Sequence, residues 1–136
     1  NIIDICRLKG ITAVHGRAEE LARKKEYREQ FDLCVSRAVA NLSSLSEYCI
    51  PYVKQGGCFV SYKSGNIQEE LDQAGFAIQT LGGKMRDVIQ FQLPGSEIDR
   101  SLVVIEKIKP TSGRYPRKAG TPSKEPLSED NRKKGM

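Results

Sequence analysis

The sequence predicts an α/β fold: a mainly parallel sheet with an antiparallel finish. Three observations carry this. Apolar runs of strand length alternate with helix-period segments as far as residue 74. Three strand-like runs then follow with no long helix between them. Glycines and prolines mark the joins. A chain of 136 residues is enough for one domain and one core.

The elements follow in order. Ile2 to Leu8 has no capping signal before it and is expected to be the last turns of a helix whose start precedes Asn1, closed by Gly10. Ile11 to His15 is a short β-prone run ended by Gly16. Ala18 to Arg28 is rich in Ala, Leu, Glu, Arg and Lys, which predicts an exposed helix. Phe31 to Val35 is mainly apolar, as expected of a strand buried on both faces. Apolar residues at 42, 45, 49 and 53 have helical spacing, so Leu42 to Tyr52 is expected to be a helix. Gly56 to Lys63 opens as a turn and becomes a strand, and Ile67 to Ala74 is expected to be a helix closed by Gly75. Phe76 to Leu81, Val88 to Leu93 and Leu102 to Ile108 are strand-like, with turns at Gly82-Gly83 and Pro94-Gly95. No internal repeat or heptad is present.

The net charge of +5 is unevenly placed. Residues 107–136 hold nine Lys/Arg and three Asp/Glu, while the other 106 residues hold thirteen and fourteen. The excess positive charge therefore sits in the tail, and it favours an anionic partner without identifying one. Within that tail, residues 114–127 contain three prolines and the cations Arg114, Arg117, Lys118 and Lys124. Such a stretch reads either as a solvated disordered end or as a phosphate-binding arm. Residues 1–108 are accordingly assigned to the folded domain, and 109–136 to an extended or disordered tail.

Cysteines at 6, 34, 49 and 58 have no CxxC spacing, which favours free thiols and a reducing, cytosolic compartment. No apolar run approaches the roughly 18 residues that span a membrane, and there is no signal-peptide pattern. With one histidine, neither a metal site nor a Ser/His/Asp or Cys/His set can be assembled. His15 is expected to be a satisfied structural imidazole. Neither a GxGxxG nor a Walker sequence occurs.

In open α/β sheets, ligands bind at the carboxyl ends of strands. Glu19 can accept hydrogen bonds from a ligand there, or be a first-turn carboxylate favoured by the helix dipole. Arg37, directly after an apolar strand, faces either an anion or a salt bridge with Glu19 or Asp32. Lys63 follows the next strand, and snorkelling to the rim is its simpler role. Arg17, Arg37 and Lys63 together would make one sheet edge electropositive.

Three segments, His15 to Glu20, Phe31 to Ala40 and Tyr115 to Leu127, closely resemble the RsmG (GidB) family of guanine-N7 methyltransferases of bacterial 16S ribosomal RNA. The run Val35-Ser-Arg-Ala38 and the Arg-Lys-x-Gly-Thr-Pro tail carry the resemblance, which covers residues 1 to about 128. It implies a class I, Rossmann-like methyltransferase fold, truncated at the N-terminus, with S-adenosylmethionine as cofactor. It further implies that Ala18 and Glu19 lie beside the cofactor's adenine, that Arg37 belongs to the cofactor site, and that Lys63 faces the RNA. The implied partner is 16S ribosomal RNA or the small ribosomal subunit, met by a monomeric, cytoplasmic enzyme.

The chain departs from the family by lacking its helical N-terminal region, its first strand with the Gly-rich loop, and the acidic residue after the second strand. By itself it is expected to be inactive. The class I strand order is 3-2-1-4-5-7-6, and residues 11–15 and 31–35 would be the third and fourth strands. With the strands between them missing, 11–15 should detach or slide across to pair with 31–35. The last four strands should remain contiguous, leaving an open edge rich in Val, Leu and Cys. A competing reading is a non-catalytic RNA-binding or structural fragment. A nucleotide-binding module of another kind would need the Gly-rich loop that is missing.

Overall fold

The computed structural model describes residues 6–7, 9–37, 40–64, 67–95, 97 and 99–129. The expected helix over residues 1–8 lies outside them, apart from Cys6 and Arg7 in a turn. The elements are α1 (Ala18–Leu21), β1 (Phe31–Arg37), α2 (Leu42–Cys49) running into a 3-10 turn (Ile50–Tyr52), β2 (Val53–Ser64), α3 (Gln68–Thr80), β3 (Gly83–Gln92), β4 (Asp99–Lys107) and α4 (Thr121–Lys124).

The four strands form one sheet in the order β1-β2-β4-β3. β1 and β2 are parallel, with Val35 beside Val60 and Arg37 beside Tyr62. β4 inserts antiparallel between β2 and β3. This is the order the class I fold requires of its last four strands, so the fold expectation holds where the chain can test it.

Helices α2 and α3 cover one face. Asn41 caps α2 by accepting from the Ser44 N–H at 2.9 Å. Alternate residues of β2 and β4 turn inward, and Phe59, Val103 and Ile105 pack with Leu42, Leu45, Ala74, Ala77 and Ile78. Burying a side chain of the Phe59 or Ile105 kind contributes about 1.5–3 kcal/mol each. The opposite face is open among the described residues: Leu33 and Val35 are 57% and 68% exposed, and Ile89 on β3 is 45% exposed.

Several local expectations fail for identifiable reasons. Residues 11–15 form no strand and lie exposed, because among the described residues no strand stands beside them; of the two outcomes foreseen, they detach. The helix expected over 18–28 stops after Leu21 and continues as turns. β1 is an exposed edge strand rather than one buried on both faces. Gly75 does not close α3, which runs on to Thr80, so Phe76 to Leu81 is helix and not strand. A Cβ at Gly75 would meet nothing within 4 Å, so this glycine fills an open position where its cost is only the ~1 kcal/mol of helix propensity.

The largest difference is the tail. Residues 109–129 are neither disordered nor detached; they form a strap across α2, with Thr111, Pro116, Pro122 and Leu127 buried. The strap begins at Gly82, whose φ of 92° and carbonyl, accepting from the Ile108 and Lys109 N–H groups, let the chain turn off the sheet. A Cβ there would stand 2.4 Å from the Lys109 carbonyl oxygen, so only glycine fits.

Candidate functional site

α1 is a single turn whose N-cap, Arg17, makes no side-chain capping bond. So short a helix does not hold itself together, and neighbours fix it. The Tyr52 hydroxyl donates to the Ala18 carbonyl at 2.6 Å. The Glu19 carboxylate, only 5% exposed, accepts from the Gly120 N–H at 2.9 Å and from Arg17 at 3.1 Å. Burial pushes the Glu19 carboxyl up, but the Gly120 and Glu19 backbone N–H groups and Arg17 outweigh it. The net result lies below the ordinary 4.5. Glu19 is therefore both a helix first-turn carboxylate and the anchor of a residue 101 positions away.

Arg37 ends β1, is exposed, and makes no ion pair among the described residues. The salt bridges expected of it are taken elsewhere: Asp32 pairs with Lys54 and Glu19 with Arg17. Ala38 lies outside the described residues. Lys63 is 5% exposed and points inward, donating to the Ala40 carbonyl at 2.7 Å and to the Glu70 carboxylate. It neither snorkels to the rim nor adds to an electropositive edge. His15 is exposed in irregular chain.

The tail cations separate into two kinds. Arg117 donates to both carboxylate oxygens of Glu47, at 2.8, 3.0 and 3.2 Å, and Glu47 is fully buried. Arg114, Lys118 and Lys124 are exposed, and their side chains have no ion pair among the described residues. Arg28 donates to the carbonyls of Thr111, Ser112 and Tyr115 at 3.1, 2.9 and 2.8 Å, and Arg23 donates to that of Pro116. Sequence reasoning missed Glu47, Arg23 and Arg28. The only available signal was an acid set between Leu45 and Cys49 on an apolar stripe.

Beside this region, the Cys34 and Cys49 thiols influence each other: Cys49 lowers the Cys34 thiol, while Cys34 and burial raise that of Cys49. Burial first, then Cys34, Cys49 and Glu19, push the Tyr52 phenol up to about 12. All four cysteines are free. Among the described residues there is no cluster of three metal-ligating side chains, and no helix is long and apolar enough to cross a membrane.

The family described as GidB, rRNA small subunit methyltransferase G, matches residues 1–103. The chain belongs to this family. Curated relatives named Ribosomal RNA small subunit methyltransferase G include one from Lachnoclostridium phytofermentans, 52% identical over 126 residues, covering 93% of this chain and 52% of that protein. One from Clostridium tetani is 52% identical over 121 residues, covering 89% and 51%. One from Exiguobacterium sibiricum is 49% identical over 120 residues, covering 88% and 50%. The chain thus spans about half the length of the GidB relatives it matches. Among solved structures, an arsenic(III) S-adenosylmethionine methyltransferase from Chlamydomonas reinhardtii aligns with 13% identity and a TM-score of 0.43, over 73% of this chain and 44% of that one.

A carboxylate has about four acceptor positions, so Glu19 keeps capacity for a ligand amine or hydroxyl beyond Gly120 and Arg17. The Arg37 guanidinium has no ion pair among the described residues. α1 and β1, which carry these residues, both pack against α2.

Proposed function

We propose that this chain is the portion of a 16S ribosomal RNA guanine-N7 methyltransferase that supplies the adenine side of an S-adenosylmethionine site and an RNA-facing strap. The single observation that supports this best is the match of residues 1–103 to the GidB family, with relatives about 50% identical across nearly the whole chain. Ala18, Glu19 and Arg37 are the cofactor-side residues of this reading. Arg114, Lys118 and Lys124 face RNA phosphate, and ribosomal RNA as substrate makes the protein cytoplasmic. Arg117 and Lys63 leave the RNA-facing set, since both are engaged inside the fold.

The bound cofactor would supply an electrophilic sulfonium methyl group. Guanine N7 carries a free lone pair, so its attack needs no general base, and catalysis can rest on positioning and electrostatics. This fits a chain in which the candidate residues bind and orient. Glu19 accepts a hydrogen bond from the ligand, Arg37 offers a fixed cation, and the strap cations hold phosphates without reading sequence.

The test uses the full-length protein that contains this chain. It is incubated with labelled S-adenosylmethionine and small ribosomal subunits lacking the modification. Borohydride and aniline then cleave the RNA at N7-methylguanine. A single new cleavage in 16S RNA that disappears in the Glu19→Ala and Arg37→Ala variants is expected. Label transfer without N7 cleavage would move the reaction to another atom, and no transfer at all would favour a non-catalytic RNA-binding role.

A further inference from the structure

Residues 17–29 and the strap are one interlocked unit. Four side chains of the first segment bond to strap backbone: Glu19 to Gly120 N–H, Arg23 to the Pro116 carbonyl, Arg28 to three carbonyls, and Glu29 to the Thr111 N–H at 3.4 Å. Segment 17–29 has one helical turn followed by locally bonded turns, and besides the strap it is held by Tyr52 at Ala18 and by the Pro51 carbonyl at the Glu29 N–H. The strap has independent footings. Arg117 is locked to the buried Glu47, the Ser44 hydroxyl donates to the Pro122 carbonyl at 2.7 Å, and Tyr48 shares a hydrogen bond with Ser123 at 2.9 Å. All three footings are on α2, the helix that also packs against β1 and hence the strand carrying Arg37.

We propose that the strap is a positioning element for the ligand site: α2 fixes the strap, and the strap moulds segment 17–29 so that Ala18 and Glu19 stand where a ligand meets them. The proposal rests on the reading of Ala18 and Glu19 as the cofactor's adenine side. The strap then influences affinity without touching the ligand. By linkage, the ligand must steady the strap by the same factor.

The test uses the full-length protein and S-adenosylhomocysteine as probe, with affinity read by calorimetry. Arg117→Ala should weaken binding by about tenfold, within the usual range for coupled sites, and Ser44→Ala should weaken it by a smaller factor. Saturating ligand should slow hydrogen exchange across residues 115–122 of the unsubstituted protein. Met85→Ala, on β3 away from the strap, lowers stability without touching either segment, and its affinity should stay unchanged. Should Arg117→Ala fail to fold, Ser44→Ala and the exchange measurement decide the matter. Unchanged affinity in folded strap variants, an equal loss in Met85→Ala, or unaltered exchange in the strap would each overturn the proposal. Failure of the unsubstituted protein to bind S-adenosylhomocysteine would instead overturn the cofactor reading beneath it.

Discussion

Arg117 reaches across seventy residues of sequence to grip both oxygens of the Glu47 carboxylate, and its own backbone N–H closes the contact at 2.7 Å. The pair joins the strap to the most enclosed helix of the domain, where every residue of α2 except Tyr48 is buried.

Removing one partner of a buried ion pair leaves the other charge stranded, at a cost of about 3–5 kcal/mol. Arg117 is 23% exposed, so water can partly reach the vacated site, and Arg117→Ala should fall near the lower end, about 3 kcal/mol. Lys118→Ala, one residue on and exposed, should cost no more than about 0.5 kcal/mol. Urea unfolding of the two variants side by side checks the contrast. Equal midpoints would mean that the pair contributes nothing.

Lys63→Met should lower stability by about 1–2 kcal/mol, because the Ala40 carbonyl loses a donor while Glu70, 27% exposed, can turn to water. It should leave the salt dependence of RNA binding unaltered, since the amine is inside the fold. A flatter salt slope in this variant would return Lys63 to the RNA face.

The strap cations predict the opposite pattern. Each phosphate contact on a single strand adds about 0.7 to the slope of log K against log salt. Replacing Arg114, Lys118 and Lys124 together by alanine in the full-length protein should therefore flatten that slope by about 2. Melting temperature should hardly move. Filter binding across a salt series gives the slope, and an undiminished one would remove the strap from the RNA interface.

Two groups tie α1 to pH. The folded Glu19 carboxyl lies below its ordinary 4.5, so its contribution is present above that value. It is lost as pH falls from there through the lowered folded value, and Glu19→Gln should abolish that part of the acid transition. The Tyr52 phenol, ordinarily 10.0, is held to about 12. Its contribution is complete below pH 10.0 and fades as pH rises toward about 12. Ultraviolet titration should show one late tyrosine that is absent from Tyr52→Phe, and a single transition near 10 for all tyrosines would contradict the burial.

The parts of the fold that the sequence revealed are those where a residue's partners lie along the chain. The helical spacing of Leu42, Leu45 and Cys49 and the turn glycines each name their own neighbours. The apolar run Phe76 to Leu81 misled because a helix continuing through Gly75 and a new strand share that composition, and only the packing of Ala77 and Ile78 on the sheet separates them. Ile11 to His15 has strand composition but pairs with no strand among the described residues. In the strap, prolines and cations count as disorder until Pro122 and Leu127 meet α2. Motif resemblance singled out Glu19 and Arg37 as cofactor-side candidates, but Glu19's bond to Gly120 joins positions too distant for any local pattern to show.

The Glu47–Arg117 contact also bears on when the domain can form. At ordinary rates of roughly 5–20 residues per second, residue 47 is synthesised about 4–14 s before residue 117. During that interval the carboxylate has no guanidinium to receive it, and the side of α2 that the strap covers stays in water. Glu47 is therefore enclosed only once the strap has been delivered by the ribosome. The stretch that composition alone would call a loose end is what takes the Glu47 carboxylate out of water.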